Sequence, residues 1–235
     1  EIVNPVPVLA VIPARYASSR FPGKMLADRT GKPLIQHVWE RAKQAKTVDQ
    51  VIVATDDQRI FDAVVAFGGG AIITRADHAN GTSRIAEAVD SLEGLKPDVI
   101  VNVQGDEPDL DPALIDLAIN TLEKHRDCPV ATIASPFAAS EDPANPNIVK
   151  VVIDRFSRAM YFSRALIPFN RDGAALDREC GPFKHVGLYV YRREFLPMYV
   201  NLPPTPLEQA EKLEQLRVLE HGHKVRVLAR QANPP

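Results

Sequence analysis

Cysteine is nearly absent from this 235-residue chain: Cys128 and Cys180 are the two copies, and they form no CxxC pair. Two thiols cannot build a disulfide framework, so both are expected to be reduced, as in a reducing compartment. Long apolar runs are missing too. None approaches the roughly 20 residues of a membrane-spanning helix, and the N-terminus lacks the charged, apolar, then small-residue order of a signal peptide. A cytoplasmic protein without a membrane partner is expected. Neither sign of charge is in excess: 28 Lys and Arg stand against 30 Asp and Glu, a net charge of −2. That balance gives no support to nucleic-acid or membrane-surface binding, so any anion site must be local.

Several sequence patterns are also missing. There is no G-x-x-x-x-G-K-[ST] phosphate loop and no G-x-G-x-x-G fingerprint, which disfavours a dehydrogenase. Gly68-Gly69-Gly70 lies between a helix and a strand, the wrong order for a dinucleotide loop, and reads as a helix cap and turn. No Ser/His/Asp or Cys/His arrangement and no histidine metal cluster is evident from spacing. His37 reads as a helix surface residue.

What remains is ordinary globular material, 45% hydrophobic and 25% charged, with a regular rhythm. Val6–Ile12, Val51–Ala54, Ala71–Thr74, Val99–Val103 and Val130–Ala134 read as strands. Helices are expected between them. One carries Leu34, Ile35, Val38, Trp39 and Ala42 on a single face; others cover Gln58–Phe67, Thr82–Leu92 and Pro112–Lys124, the last capped by Asp111. This alternation implies an α/β fold: a Rossmann-like, mostly parallel sheet with helices on both faces. The second half is less regular. Val149–Ile153 and Ala159–Phe162 read as a hairpin, Val186–Tyr191 as a strand, Arg193–Tyr199 as a short helix, Leu207–His221 as one long helix and Lys224–Ala229 as a last strand. A single domain spanning 1–235 is expected, with roughly 149–205 as an inserted hairpin lobe that forms a dimer contact.

Ligands of such sheets bind beyond the carboxyl ends of the strands, and the polar clusters fall there. The first strand runs into a loop carrying Arg15, Arg20 and Lys24 among small residues, suited to cradling a polyphosphate. Thr55-Asp56-Asp57 follows the second strand. Arg75–Arg84 follows the third and offers Asn80, Gly81 and two guanidiniums, suited to a base and ribose. Gln104–Glu107 follows the fourth, where Asp106 could hold a Mg²⁺ bridging phosphates. His185 and Tyr189, four apart on a strand, face the same way; Arg164, Glu214 and Gln215 could complete a second polar pocket with them.

The runs Ile12–Leu26, Ile52–Asp56, Thr74–His78 with Gly81-Thr82, and Val101–Pro108 closely resemble the 3-deoxy-manno-octulosonate cytidylyltransferase family. So do Asn145–Asn147, Val149–Val152, Tyr161–Ala165, Ile167-Pro168, His185–Tyr189 and Leu207-Glu208 with Glu211–Arg217, in the same order along the chain. The resemblance implies an enzyme that joins CTP to the sugar acid Kdo, giving CMP-Kdo and diphosphate for lipopolysaccharide synthesis. It implies that Arg15 and Lys24, assisted by Arg20 and flanked by Ala14, hold the triphosphate. Arg75, Asn80, Gly81, Ser83 and Arg84 would border the cytidine, and Asp106 would bind Mg²⁺. Gln104, Arg164, His185, Tyr189, Glu214 and Gln215 would line the sugar-acid site, in a homodimer. The family's second metal-binding aspartate is expected in a Gly-Val-Asp-type segment after the last strand. The sequence given ends at Asn233-Pro-Pro235, before such a segment, so poor Mg²⁺–CTP binding is expected of these residues alone. The competing readings are a cytidylyltransferase for 8-amino-Kdo or sialic acid, and a non-catalytic nucleotide-binding module.

Overall fold

The computed structural model describes residues 7–17, 21–94, 96–173 and 181–229. Val6, Arg20 and Cys180 therefore lie outside the described residues. The chain divides into two compact units, one of residues 1–119 with 188–200, the other of 120–187 with 201–235.

The first unit is built on strand β1 (Val8–Ala14), which pairs in parallel with β2 (Gln50–Thr55) on one side and β4 (Val99–Asn102) on the other. Strand β3 (Gly70–Ile73) extends the sheet beyond β2, also in parallel. β1 sits two residues later than the apolar run suggests and passes through Pro13. Its ladder with β4 ends at Val11, so at Pro13 only β2 remains as a partner and the missing N–H costs the sheet less. Leu9, Ala10, Val11 and Ile12 have no exposed surface, so both faces of β1 are covered. Each large aliphatic side chain buried there contributes roughly 1.5–3 kcal/mol.

The helices of this unit follow their apolar stripes. α1 (Leu34–Lys43) buries Ile35, Val38 and Ala42. α2 (Gln58–Ala66) starts on Asp57, whose side chain accepts from the Arg59 amide. It ends in a Schellman motif: Gly68 N–H donates to Val65 O and Gly69 N–H to Val64 O, with Gly68 at φ 83°. α3 (Gly81–Asp90) is capped by Asn80. α4 (Pro112–Lys124) spans the expected residues, with Asp111 Oδ1 accepting from Ala113 N–H at 3.0 Å.

The second unit carries β5 (Val130–Pro136), which pairs in parallel with β9 (Val225–Ala229). The expected hairpin is present as β6 (Lys150–Ile153) and β7 (Ala159–Ser163). Asp154 Oδ1 closes its turn by accepting from the amides of Phe156 and Arg158, both at 2.8 Å. β8 (Phe183–Arg192) is longer than expected. Its first residues, which belong to this unit, pair antiparallel with β6 here; its last residues belong to the first unit and pair antiparallel with β4 there. The short helix α5 (Phe195–Asn201) follows.

The single helix expected over Leu207–His221 is two helices, α6 (Pro206–Glu211) and α7 (Gln215–Glu220). Lys212 turns left-handed between them, at φ 54°. A contact remote in sequence meets the break: Arg164 Nε donates at 2.8 Å to the main-chain carbonyl of Glu211, the acceptor that a continuous helix would offer to Gln215. The two pieces are held together by Arg217, whose guanidinium grips Glu208 through two bonds of 2.8 and 2.6 Å.

The Schellman glycines give a stability test. Gly68→Ala should cost about 1 kcal/mol, because its left-handed backbone penalises a Cβ that otherwise meets open space. Gly69→Ala should cost more, because the new Cβ would lie 2.8 Å from Val64 and 2.7 Å from Phe67. Urea unfolding should rank them in that order; equal losses would contradict the packing described.

Candidate active site

In the first unit the loops after β1, β2, β3 and β4 meet at the carboxyl edge of the sheet. The β1 loop closes on itself where Gly23 N–H donates to Tyr16 O at 2.8 Å. Gly23 is left-handed (φ 71°) and starts a single 3₁₀ turn, Lys24–Leu26. The Arg59 guanidinium lies over the Tyr16 ring, 3.3 Å from its centroid, and is itself held by both Asp57 oxygens. From this loop Lys24 reaches Asp106 on the β4 loop, Nζ to Oδ2 3.2 Å, with both side chains solvent-accessible. The glycine preceding Asp106 has a steric reason. A Cβ on Gly105 would sit 3.2 Å from the Pro13 carbonyl and 3.0 Å from Met25 Sδ, so glycine lets the two loops touch without displacing either neighbour.

The β3 loop is organised by two groups that sequence reading passed over, His78 and Glu87. His78 is nearly buried; its Nδ1 lies 3.1 Å from Ser83 Oγ and its Nε2 bonds Glu87. Glu87 also accepts from the Arg75 amide, and the Arg75 side chain lies 3.5 Å from Glu87 and from Asp77. Burial alone would raise the Glu87 carboxyl, but the His78 bond, the Arg75 amide and the neighbouring charges outweigh it and hold the group below the usual range. Arg15 joins this loop to the first by donating to the His78 carbonyl at 2.5 Å. Asn80 caps α3 by accepting from Ser83 N–H at 2.8 Å.

Arg84 stands where the resemblance places a cytidine neighbour, yet it has no exposed surface. Its guanidinium donates to Asp56 at 2.7 Å and to Thr74 at 2.5 Å, while Nε has no partner among the described residues. In this structure Arg84 bolts the β2 and β3 loops together rather than facing a ligand. Gln104 and Tyr189 belong to the same unit. Tyr189 pairs directly with Asn102 across β4 and β8, so those two side chains share a face of the sheet.

The remaining expected residues, Arg164, His185, Glu214 and Gln215, belong to the second unit. His185 Nε2 lies 2.9 Å from Thr132 Oγ1, and its ring meets Phe162 edge-on at 4.9 Å. The imidazole keeps some solvent access but lies deep, and desolvation lowers its pKa from 6.5 to about 3. It is therefore neutral at physiological pH. Gln215 is buried at the start of α7, just after Glu214. Arg164 is held by Glu211 and Lys150, neither of which was singled out from sequence.

Among the described residues no group of three or more His, Cys, Asp or Glu could hold a metal ion. Asp106 alone still suits Mg²⁺ bound together with a triphosphate, because that ion takes one or two protein carboxylates and completes its shell with phosphate oxygens and water. The carboxylate is exposed beside Lys24 of the cationic loop.

Comparison with known proteins bears on this arrangement. A cytidylyltransferase family model matches residues 9–225. The chain is 54% identical over 221 residues to a 3-deoxy-manno-octulosonate cytidylyltransferase of Syntrophobacter fumaroxidans, covering 94% of this chain and 87% of that protein. It is 51% identical to the protein of the same name from Syntrophotalea carbinolica, covering 94% and 89%. Among solved structures, a CMP:2-keto-3-deoxy-manno-octonic acid synthetase complexed with CTP superposes with a TM-score of 0.88. That match has 45% identity and covers 97% of this chain and 92% of the other. With the carboxyl-edge loops in place and a match over nearly its whole length, the chain belongs to the 3-deoxy-manno-octulosonate cytidylyltransferase family.

Proposed function

We propose that this protein transfers the cytidylyl group of CTP to 3-deoxy-manno-octulosonate (Kdo), giving CMP-Kdo and diphosphate as a precursor of lipopolysaccharide. The observation that carries the reading is the Lys24–Asp106 pair. It sets one cation and one carboxylate, both accessible, 3.2 Å apart at the carboxyl edge of a parallel sheet. A nucleoside triphosphate with its magnesium ion offers the matching charges, phosphate for Lys24 and metal for Asp106.

In the reaction the anomeric hydroxyl of Kdo attacks the α-phosphorus. A new P–O bond forms, the bond to the β-phosphate oxygen breaks, diphosphate leaves, and the hydroxyl proton passes to solvent. Negative charge grows on the phosphoryl oxygens and on the leaving group. Arg15 and Lys24, with Arg20, stabilise it there, and the proposed site therefore needs no covalent nucleophile. Mg²⁺ held by Asp106 supplies further charge neutralisation when bound. Ala14, Arg75, Asn80, Gly81 and Ser83 border the nucleotide. Arg84, being buried, holds the Asp56 and Thr74 loops around it. Gln104, Arg164, His185, Tyr189, Glu214 and Gln215 receive the sugar acid, His185 as a neutral hydrogen-bonding group. The protein acts in the cytoplasm as a homodimer through the lobe at about 149–205. The exposed Phe156, Met160 and Phe169 support that surface, Phe169 at 87% exposure.

Release of diphosphate with CTP, UTP and ATP against Kdo, 8-amino-Kdo and sialic acid tests the reading; absence of turnover with every pair would defeat it. Lys24→Ala and Asp106→Ala should each slow turnover by roughly 10²-fold or more. Neither should shift the melting temperature appreciably, since exposed ion pairs stabilise by about 1 kcal/mol or less. Near-normal rates would remove these residues from the site.

The His185 environment predicts a stability limb. Below pH 6.5 the unfolded chain protonates this group while the folded protein resists down to about pH 3. Its contribution is thus complete above pH 6.5 and is lost progressively as pH falls toward 3. Urea unfolding at pH 7.5 and 5 should show the native protein losing on the order of 1 kcal/mol more than His185→Gln. An identical loss in both would contradict a buried neutral imidazole.

A further inference from the structure

Arg164 follows β7 and is fixed at both its backbone and its side chain. Its N–H donates to Glu211 Oε2 at 2.9 Å. Its carbonyl accepts from Lys150 Nζ at 2.5 Å. Its Nε donates to the Glu211 main-chain carbonyl at 2.8 Å, and Nη1 reaches the Pro146 carbonyl at 3.2 Å. Nη2 has no partner among the described residues. Nε and Nη1 are thus committed, and Nη2, which lies between the two forks of the guanidinium, is left over.

The two residues that do this are unusual in themselves. Lys150 has no exposed surface, and its ammonium donates to three carbonyls, those of Asn145 (2.9 Å), Ile148 (2.6 Å) and Arg164. Three acceptors satisfy the three ammonium N–H bonds without a bonded carboxylate. Burial pulls the Lys150 pKa down, partly offset by the charges of Asp142 and Glu211. Such a group is costly to keep unless its geometry is needed. Glu211 is used up in the same way: Ser163 Oγ donates to it at 2.6 Å, Tyr161 OH at 3.4 Å, and the Arg164 amide as above. Burial works against its ionisation, but these donors and the Arg164 charge prevail and keep it below the usual carboxyl range.

The clamp lies at the helix break. Where Arg164 meets the Glu211 carbonyl, α6 ends, Lys212 turns left-handed, and α7 restarts at Gln215 with Glu214 before it.

We infer that Glu211 and Lys150 are positioning residues for the sugar-acid half of the reaction, fixing Arg164 so that its uncommitted Nη2 meets the substrate carboxylate in one orientation. This rests on the proposed role of Arg164 in binding the sugar acid. A clamp that served folding alone would affect both substrates alike; a positioning clamp affects one.

The test measures diphosphate release with Kdo and CTP varied separately, together with the melting temperature. Glu211→Gln keeps the side-chain size but turns an amide N–H toward one of the present donors. It should raise KM for Kdo about tenfold, with KM for CTP within about twofold. Arg164→Lys keeps the charge but cannot reach the Glu211 and Pro146 carbonyls together. It should show the same selective rise, and Lys150→Gln, which leaves Arg164 itself intact, carries the test of the clamp if Glu211→Gln does not fold. The double variant should be no worse than the poorer single one, as expected of groups acting as a unit. Parallel rises for both substrates, or full additivity, would overturn the clamp. If Arg164→Ala raises KM for Kdo while Glu211→Gln does not, the clamp fails and the reading of Arg164 stands. If Arg164→Ala leaves KM for Kdo unchanged, that reading fails and the clamp falls with it.

Discussion

The first unit depends on a strand that has nowhere polar to go. Leu9 to Ile12 are closed off on both faces, and β1 is flanked by parallel neighbours on both sides. Parallel pairing puts the ends of β1 to β4 at one edge, so their loops must leave the sheet together. Charged residues excluded from the strands collect there, and their mutual contacts become the site. Arg15 to the His78 carbonyl, Lys24 to Asp106 and Arg84 to Asp56 each join loops that lie far apart in sequence.

The arginines divide the labour according to burial. Arg84 is sealed in and works as a structural bolt, with acceptors for most of its guanidinium. Arg59 is exposed yet immobilised between the Asp57 carboxylate and the Tyr16 ring. Arg164 is partly committed, with its backbone and its Nε and Nη1 held. Arg15 sits at the surface with a single backbone acceptor. One residue type thus supplies a brace, a lid on an aromatic ring, an oriented fork and a loosely held charge. The difference lies in what each can reach, not in intrinsic chemistry.

Much of this was legible in the sequence because the signals were local. The Pro112–Lys124 helix announces itself by an Asp cap, a proline at its first position and a regular apolar stripe. Gly68-Gly69-Gly70 could be assigned to a cap from its place between helix and strand. The failures have non-local causes. The residues of Leu207–His221 do not announce the break, and the guanidinium that meets it at the Glu211 carbonyl lies 47 positions upstream. Likewise Arg84 looks like a ligand-facing cation until its burial between Asp56 and Thr74 is seen. His78 and Glu87 are nine residues apart across a loop and a helix start, a spacing without a periodic signature. Lys150 sits in a strand position that reads as surface until three carbonyls are found around it.

The Lys24–Asp106 contact has a consequence for discrimination between ligands. With the two side chains paired, the site carries its own counter-ions, and neither charge is displayed at full strength. A lone phosphate must compete with the carboxylate for the lysine, and a lone cation must compete with the lysine for the carboxylate. An incoming species that brings both signs at once replaces both partners in a single exchange and strands neither. On the proposed reading, such a pair would act as a coincidence filter, favouring a metal-bound polyphosphate over a free anion or a free cation.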